Sequence, residues 1–375
     1  MNEKQGDLVS SAAGGSPSPP YVSGGLRPVL IASEHTLFEY SLFLEHLLVG
    51  LADESIPAVL VCPPGLDVQS VISGAVEVIR HPIIDLPLME YLTSNRLIEQ
   101  LERFRPTVLH CLCETKAPLT GQLARQLSLP YVLTVNSLQK RWRQVSTSSK
   151  HCARIIVPAK SIAVSVAKAH PRFAERVEQI NIGTFVEEHS RCFSGPSRLP
   201  SVVIAHPFDN VAEFESLFGA VRHLAIARYE FLVTAMGAGR AESQLRKLLA
   251  ALGLLQTVTI VPRLKPWRSV LAAGDIFIRP QPTDTFDPLL LEAMSVGSAV
   301  AACKGGVDDL IIEDQTAVVF DPNDEFSIRT TLQRLFDRRE FARQLARDAQ
   351  EYLRDHHKVS NMISATLQLY REAQG

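Results

Sequence analysis

The sequence has no surplus of charge of either sign and no apolar run that could cross a membrane. Its 375 residues include 38 Lys and Arg and 40 Asp and Glu, which gives a formal net charge of -2 at pH 7. This balance excludes the broad basic field with which proteins attract nucleic acids, so any anionic ligand must be held by local groups. No stretch reaches the roughly 20 consecutive apolar residues of a transmembrane helix. We therefore expect a globular protein that has no membrane span and does not bind nucleic acid.

Cysteine is scarce, and its placement does not indicate a metal site. Six cysteines are scattered along the chain, and only Cys111 and Cys113 lie close together. A single C-x-C pair without a second pair or a suitably spaced histidine is a weak zinc signal, and this pair lies in an apolar run. We expect packed thiols and no metal. Unpaired thiols suit a reducing compartment, which indicates a cytoplasmic protein.

The first residues have a composition that does not favour folding. Residues 10–20 are rich in Ser, Gly and Pro, and they follow the acidic Glu3 and Asp7. The order of a charged and then an apolar region, which defines a signal peptide, is missing. We expect residues 1–26 to form a disordered tail, because they contain too little apolar surface to bury.

The rest of the chain alternates short β-branched runs with longer helical patterns, for example a strand near 28–32 and a helix over 38–52. This alternation predicts an α/β fold of parallel strands with crossover helices. It stops at a Ser-Gly-Pro-Ser linker and then restarts. The predicted units are an N-terminal Rossmann-like domain, a C-terminal Rossmann-like domain, and a last helix packing back on the first domain, over residues 27–193, 200–356 and 357–375. Two such sheets bind ligands in the cleft between them.

The most informative segment covers residues 276–294. A strand ends near Arg279, a loop follows, and Asp287-Pro288 opens a helix, since Asp is a favoured N-cap and Pro a favoured first helical residue. A helix start at the cleft favours an anion. With Asp284 in the loop and Glu292 about one turn inside the helix, two carboxylates could bracket a nucleotide sugar. The alternative is that Asp287 only caps the helix and that Glu292 lies on a solvated face.

Two glycine-containing turns follow other predicted strands. Gly237 and Gly239 precede a helix that starts after Arg240, and Gly305-Gly306 precedes the acidic Asp308-Asp309. Glycine allows the backbone to approach a ligand closely, and a strand followed by a Gly loop and a helix suits a phosphate. Taken alone, each is also compatible with an ordinary tight turn.

In order, these three segments resemble the carboxy-terminal half of retaining glycosyltransferases of family 4, the set known as glycosyl transferases group 1. The likeness covers residues 230–330 and includes the spacing from Asp284 to Glu292, where the family has Glu, seven residues and Glu. Residues 106–110 and 129–135 resemble the amino half more loosely. The resemblance implies the GT-B fold, in which two Rossmann-like domains face each other across a cleft. It also implies a nucleotide diphosphate sugar as co-substrate, with no cofactor and no metal.

The resemblance further implies roles for individual residues. Glu292 would hold the donor ribose, and Asp309 takes the position of a family glutamate. The implied catalytic set is Asp284, His110 and Asn136, and Asn136 stands where the family has a histidine. The implied donor-binding set is His206, Gly237, Gly239, Arg240, Arg279, Phe286, Asp287, Leu289, Glu292, Gly305, Gly306 and Asp309.

The sequence departs from the family where positive charge is needed. His206 and Val211 stand at the positions of an Arg and a Lys that stabilise the leaving diphosphate in the family. Asp287 replaces a glycine, and Pro288 removes one N–H from the helix start. Arg279 and other cations near the predicted loop ends are candidates to compensate.

The resulting prediction is a retaining glycosyltransferase that moves a hexose to a glycan or lipid-linked acceptor in cell-surface polysaccharide synthesis, at the inner face of the membrane. The basic, Trp-containing segment 139–143 could contact an anionic membrane, or it could be a solvated helix. One alternative is a catalytically impaired GT-B protein that binds a sugar nucleotide or acts as a scaffold in exopolysaccharide assembly. Another is a sugar-nucleotide epimerase that would use His110 and Glu114.

Overall fold

A computed structural model describes residues 25–65, 76–82, 87–139, 150–195, 198–262 and 267–374. Nearly all of the predicted tail over residues 1–26 and most of the basic segment 139–143 lie outside these residues. None of the helices within the described ranges is long and apolar enough to span a membrane.

Seven parallel strands form the N-terminal sheet, and several of them are buried along their whole length, as expected for a sheet covered on both faces. They are β1 (Pro28–Ile31), β2 (Ala58–Cys62), β3 (Val76–Arg80), β4 (Val108–Cys111), β5 (Tyr131–Thr134), β6 (Cys152–Val157) and β7 (Val177–Gln179). Their order in the sheet is β3-β2-β1-β4-β5-β6-β7. The helices of this domain are α1 (Glu34–Glu39), α2 (Ser41–Asp53), α3 (Pro87–Phe104), α4 (Ala117–Gln126) and α5 (Lys160–Ala169).

Six parallel strands form the C-terminal sheet: β8 (Ser201–Ala205), β9 (Leu232–Met236), β10 (Val258–Val261), β11 (Ile276–Arg279), β12 (Ala299–Ala302) and β13 (Val318–Val319). Their order is β10-β9-β8-β11-β12-β13. The helices are α6 (Ala212–Ile226), α7 (Glu242–Ala251), α8 (Trp267–Ala272), α9 (Pro288–Ser295), α10 (Glu325–Asp337), α11 (Arg339–His356) and α12 (Val359–Gln374). The strand order reverses between β8 and β11, and ligands bind at the carboxyl ends beside such a switch point. The two parallel-sheet α/β domains confirm the predicted fold class.

The last helix, α12, lies on the N-terminal domain. Its buried Ile363 and Leu367 share an apolar cluster with Leu44 and Leu47 of α2. The two helices approach closely at Gly50, where a Cβ atom would lie 2.6 Å from the Ile363 side chain. The chain therefore crosses between the domains twice.

The sequence predicts one helix over residues 38–52, whereas the structure has α1 and α2 separated at Tyr40. The backbone of Tyr40 leaves the helical region, with φ -110° and ψ 27°. The start of α1 is a capping box in which the Ser33 hydroxyl accepts a hydrogen bond from the Thr36 amide. At the break, the Tyr40 hydroxyl donates a 2.9 Å hydrogen bond to the carbonyl of Phe286 in the C-terminal domain. The interruption thus supplies a contact between the domains.

Candidate functional site

The carboxyl ends of neighbouring C-terminal strands bring several predicted site residues to one edge of the sheet. His206 follows β8, Gly237 follows β9, and Arg279 is the last residue of β11. Gly305 lies three residues beyond the end of β12. These strands are adjacent and parallel, so their carboxyl ends meet at the same edge. The edge faces the N-terminal domain through the loop before α9.

Gly237 and Gly239 allow the loops after β8 and β9 to pack against each other. A Cβ atom on Gly237 would lie 2.2 Å from the His206 carbonyl oxygen, and one on Gly239 would lie 2.3 Å from the Phe208 carbonyl oxygen. The fold itself therefore requires both glycines, whatever ligand is present. Arg240, next along the chain, is exposed and donates to the Asp209 carbonyl at 3.3 Å.

His206 does not supply a permanent positive charge. Its Nε2 atom lies 3.2 Å from Oε2 of Glu213. Burial lowers the pKa of His206 below its usual value, although Glu213 and Asp287 act in the opposite direction. The imidazole is therefore neutral at neutral pH, where it can form hydrogen bonds but cannot balance a diphosphate.

Arg279 is the buried cation of this edge. The residue is 1% exposed, and its Nη2 donates to the Thr283 hydroxyl at 2.8 Å. Its Nε and Nη1 atoms are buried without a hydrogen-bond partner in the described part of the chain. Arg279 ends β11, which pairs with β8, and His206 directly follows β8. The pKa of His206 is lowered mainly by burial and further by the charge of Arg279. A buried cation with two unused donors is costly unless an anion can approach it.

The turn at Gly305-Gly306 packs against the loop that carries Asp284. Both glycines have positive φ, and a Cβ atom on Gly306 would lie 2.1 Å from the Thr283 carbonyl oxygen. The same carbonyl accepts a 2.8 Å hydrogen bond from the Val307 amide. The close approach predicted for these glycines is thus made by another segment of the chain.

The Asp284 loop is also held by the N-terminal domain. The Leu138 amide donates to the Asp284 carbonyl at 2.7 Å, and the Phe286 amide donates to the Asn136 carbonyl at 2.9 Å. One oxygen of Glu114 accepts hydrogen bonds from the amides of Asn136 and Ser137, both at 3.2 Å. Glu114 thereby holds the N-terminal-domain segment that pairs with the Asp284 loop. Two members of the predicted catalytic set, Asp284 and Asn136, therefore lie on paired segments where the domains meet. The Asp284 side chain is exposed there.

The start of α9 is already satisfied by the protein. Oδ1 of Asp287 accepts from the amides of Leu289 and Leu290, at 3.0 and 3.2 Å. The side chains of Phe286 and Leu289 are buried, with exposures of 2% and 6%. The Phe286 amide and carbonyl both bond to the N-terminal domain. These contacts confirm that Asp287 caps α9, and its carboxylate takes the place at the helix start where an anionic ligand was expected.

Glu292 is buried, and its carboxylate oxygens are engaged by the protein. It is 4% exposed, and its Oε1 accepts from the Thr184 hydroxyl at 2.6 Å. Its Oε2 forms a 2.8 Å ion pair with Nη1 of Arg268 and a 3.3 Å hydrogen bond with Ser295. The alternative of a solvated Glu292 is therefore wrong, whereas its ribose contact stays a prediction. The carboxylate joins α8 and α9 to the segment that links β7 to β8, and its oxygens are occupied.

Asp309 likewise serves the contact between the domains. One carboxylate oxygen accepts from the Ser161 amide at 3.0 Å, and the other accepts from the Ser161 hydroxyl. Ala159, the N-cap of α5, has no side-chain oxygen to cap the helix itself. Asp309 thus caps a helix of the opposite domain, which does not fit the predicted donor contact.

His110 is enclosed in the N-terminal domain and does not fit its predicted catalytic role. The residue has no exposed surface; its Nδ1 lies 2.6 Å from the Tyr370 hydroxyl and its Nε2 lies 2.7 Å from the Thr134 hydroxyl. The ring touches a cavity of only about 10 Å³. The epimerase alternative loses its support as well, because Glu114 is used to hold the loop of Asn136.

Burial lowers the pKa of His110 from 6.5 to about 3. A folded-state pKa below the unfolded one means that the neutral imidazole stabilises the fold above about pH 6.5 and that this contribution is lost as the pH falls towards 3. We expect His110→Gln to flatten the pH dependence of the unfolding free energy over this range, by up to about 1.36 kcal/mol per pH unit. Urea titrations of both proteins at several pH values measure this, and parallel curves would contradict it.

A large open space lies on the N-terminal domain. A cavity of about 790 Å³ lies beside the carboxyl ends of β1 and β2. Its lining combines carboxylates, cationic or polar groups and apolar rings: Ser33, Glu34, His35, Phe38, Glu39, Pro63, Pro64, Pro82, Thr115 and Lys116. The volume is within the usual range of small-molecule sites.

Several residues that organise the site were not identified from the sequence. Tyr40 and Ser161 are contacts between the domains, while Thr184 and Arg268 hold Glu292. The Ser33 capping box was a local signal that could have placed the start of the first helix at Glu34, although no local pattern marks the break at Tyr40. The other three act through partners that are distant in sequence, so no local pattern indicates them.

Comparison with known proteins finds similarity to glycosyltransferases, mainly in the second domain. Residues 201–338 match the model of the family described as glycosyl transferases group 1. A sulfoquinovosyl transferase of Arabidopsis thaliana, SQD2, is 25% identical over 288 residues, which are 69% of this chain and 55% of the plant protein. The chain thus matches only about half of that relative's length. The uncharacterized glycosyltransferase YqgM of Bacillus subtilis (strain 168) is 22% identical over 278 residues, covering 70% of this chain and 77% of YqgM.

Solved structures show the same architecture over nearly the whole chain. A glycosyltransferase from Rickettsia africae ESF-5 superimposes with a TM-score of 0.76 at 12% identity, covering 93% of this chain and 99% of that one. Anabaena Alr3699/HepE in complex with UDP and glucose gives 0.76 at 13% identity, with 92% and 98% covered. At such identities the likeness establishes the fold. The chain therefore has the GT-B fold, and the match of residues 201–338 to the glycosyl transferases group 1 agrees with the resemblance found in the sequence.

Proposed function

We propose that the protein is a retaining glycosyltransferase that transfers a hexose from a nucleotide diphosphate sugar to a glycan or lipid-linked acceptor. The observation that carries this proposal is the pairing of the Asp284 loop with the Asn136 segment beside the buried cation Arg279. Donor groups from one domain and acceptor groups from the other thereby meet at one place. The family of the second domain and the GT-B fold agree with transfer between two such sites.

In this proposal, the positive charge of Arg279 stabilises the diphosphate as it leaves the transferred sugar. Stabilising the charge that develops on a leaving group is commonly the largest contribution to such a reaction. His206 is neutral and Val211 is apolar, so neither can balance a diphosphate. At the ends of β8, β9, β11 and β12, Arg279 is a cation whose Nε and Nη1 have no hydrogen-bond partner within the described ranges. The guanidinium is covered by the protein, so Thr283 and its loop must shift for a phosphate to reach it. No metal is needed in this scheme.

The acceptor would occupy the cavity of about 790 Å³ in the N-terminal domain. Its carboxylates, Glu34 and Glu39, can accept hydrogen bonds from sugar hydroxyls, and the ring of Phe38 offers an apolar face. This mixture suits the glycan part of an acceptor. A lipid-linked acceptor, a role in cell-surface polysaccharide synthesis, and a cytoplasmic location at the membrane face extend the same proposal.

Asp284 is proposed to contact the transferred sugar, and its replacement tests the function. We expect wild-type protein to release UDP or GDP from at least one UDP- or GDP-linked hexose in the presence of a glycan acceptor. Asp284→Asn should lose about tenfold to hundredfold of this turnover, the value of a hydrogen bond to a charged group. Asp53→Asn, at the exposed end of α2, is the matched control and should retain full turnover. Absence of nucleotide release with every donor, or equal rates for Asp284→Asn, would contradict the proposal.

A second candidate is a GT-B protein without turnover that binds a sugar nucleotide or acts as a scaffold in exopolysaccharide assembly. It is favoured by one specific observation: the carboxylates of Asp287, Glu292 and Asp309 are all engaged by the protein itself. Saturable UDP binding without nucleotide release from any donor would select this candidate over the transferase.

A further inference from the structure

The backbone amides at the start of α9 already have a hydrogen-bond acceptor, the carboxylate of Asp287. Pro288 has no N–H, and the amides of Leu289 and Leu290 both donate to Asp287 Oδ1. The next amide, that of Leu291, donates to the Asp287 carbonyl at 3.3 Å. A helix start normally attracts anions through these groups. Here an internal anion is already in place.

Asp287 lies where the two domains meet, because the amide of the preceding residue, Phe286, donates to the Asn136 carbonyl at 2.9 Å and its carbonyl accepts from the Tyr40 hydroxyl at 2.9 Å. The pKa of Tyr40, in the N-terminal domain, is raised mainly by burial and further by the charges of Glu114 and Asp287. In the C-terminal domain, Asp287 also acts on His206, opposing the effect of burial. Asp287 forms no ion pair with a Lys or Arg of the described residues, so no contacting cation cancels its charge.

The other charged groups that face this position are unevenly distributed. Glu114 adds negative charge on the N-terminal side, and Glu213 adds it beside His206. The buried guanidinium of Arg279 is the opposing charge near His206. The Arg279 guanidinium bonds to Thr283, which lies in the same loop as Asp287, so a diphosphate that approached Arg279 would be repelled by the Asp287 carboxylate.

We propose that Asp287 is a specificity-determining residue, whose carboxylate occupies the anion position of α9 and weakens the binding of nucleoside diphosphates. This inference depends on the proposed function, because the proposed function places the nucleotide at this edge of the sheet. The uncharged nucleoside part of the donor is not affected by the carboxylate. The site therefore discriminates by ligand charge, and the native protein binds UDP or GDP more weakly than the same site without this charge.

The test separates charge from capping. Asp287→Asn keeps an oxygen that can cap α9 but removes the charge, and Asp287→Ser is a second variant with a capping side chain. The matched control is Asp324→Asn, because Asp324 caps α10 at an exposed position through the Phe326 amide. Isothermal titration of each full-length protein with UDP, GDP and uncharged uridine gives the affinities, and thermal unfolding checks that the variants are folded.

We expect Asp287→Asn and Asp287→Ser to bind UDP or GDP at least about tenfold more tightly than the wild type, with uridine affinity unchanged and the Asp324→Asn control equal to the wild type. Equal diphosphate affinities in wild type and both Asp287 variants would overturn the inference while leaving the proposed function intact. If neither wild type nor variants bind any nucleotide, the proposed function itself is wrong.

Discussion

Replacing Glu292 with alanine is expected to lower the free energy of unfolding by about 3 kcal/mol, at the low end of the cost of breaking a buried ion pair. The carboxylate accepts from Thr184 and pairs with Arg268, and its side chain is 5% exposed. The substitution removes the carboxylate to which the Thr184 hydroxyl and the Arg268 guanidinium donate. Arg268 keeps its contacts with Glu187 and the Phe185 carbonyl, which limits the loss. Urea titration monitored by circular dichroism measures the change.

Glu187→Ala is the matched control, because Glu187 pairs with the same Arg268 from an exposed position, at 3.2 Å. A surface ion pair of this kind contributes at most about 1 kcal/mol. An unchanged urea midpoint for Glu292→Ala, or an equal loss in both variants, would show that Glu292 does not stabilise the contact of α8 and α9 with the segment that links β7 to β8. A loss of donor affinity without a loss of stability would instead restore the ribose contact implied by the family resemblance.

Exchanging Arg279 for methionine is expected to reduce turnover by a factor on the order of 10²–10³, the usual effect of removing one group that stabilises transition-state charge. The same substitution should leave the fold as stable as before or more stable. Two of the guanidinium nitrogens are buried without a partner in the described residues, and replacing such a group with an apolar side chain of similar length removes an uncompensated desolvation cost.

The combination of lost activity and retained stability distinguishes a functional cation from a structural one. Arg246→Met serves as the control, since Arg246 is exposed on α7 and bonds only to Glu242 among the contacts described for it. Initial rates of nucleotide release and urea midpoints are measured on the same preparations. Full turnover in Arg279→Met would remove Arg279 from the donor site, and a large loss of stability would assign it a packing role.

Local signals in the sequence predict most of the strands and the position of α9, but not the short strand β7. The Asp287-Pro288 pair predicts a helix start there, and α9 begins at Pro288 with Asp287 as its cap. Apolar β-branched runs likewise predict buried parallel strands, because their pattern depends only on burial on both faces. The helix predicted over residues 38–52 is interrupted at Tyr40, which periodicity alone did not show.

The environments of the carboxylates could not be predicted, because their partners are remote in the chain. Glu292 and Thr184 are separated by 108 residues, and Asp309 and Ser161 by 148. His110 bonds to Tyr370, 260 residues away, on a helix whose position depends on the completed fold. Spacing identified the residue types that a donor site uses, whereas tertiary packing decided which of them were available to a ligand.

The central claim is that the donor lies at the carboxyl ends of β8, β9, β11 and β12 with its diphosphate at Arg279. A crystal structure of the protein with a bound UDP- or GDP-hexose tests it most directly. The account predicts nucleotide density at this edge and a phosphate oxygen about 3 Å from a guanidinium nitrogen of Arg279. A nucleotide bound elsewhere, or one at this edge with Arg279 still covered by the Thr283 loop, would contradict the account.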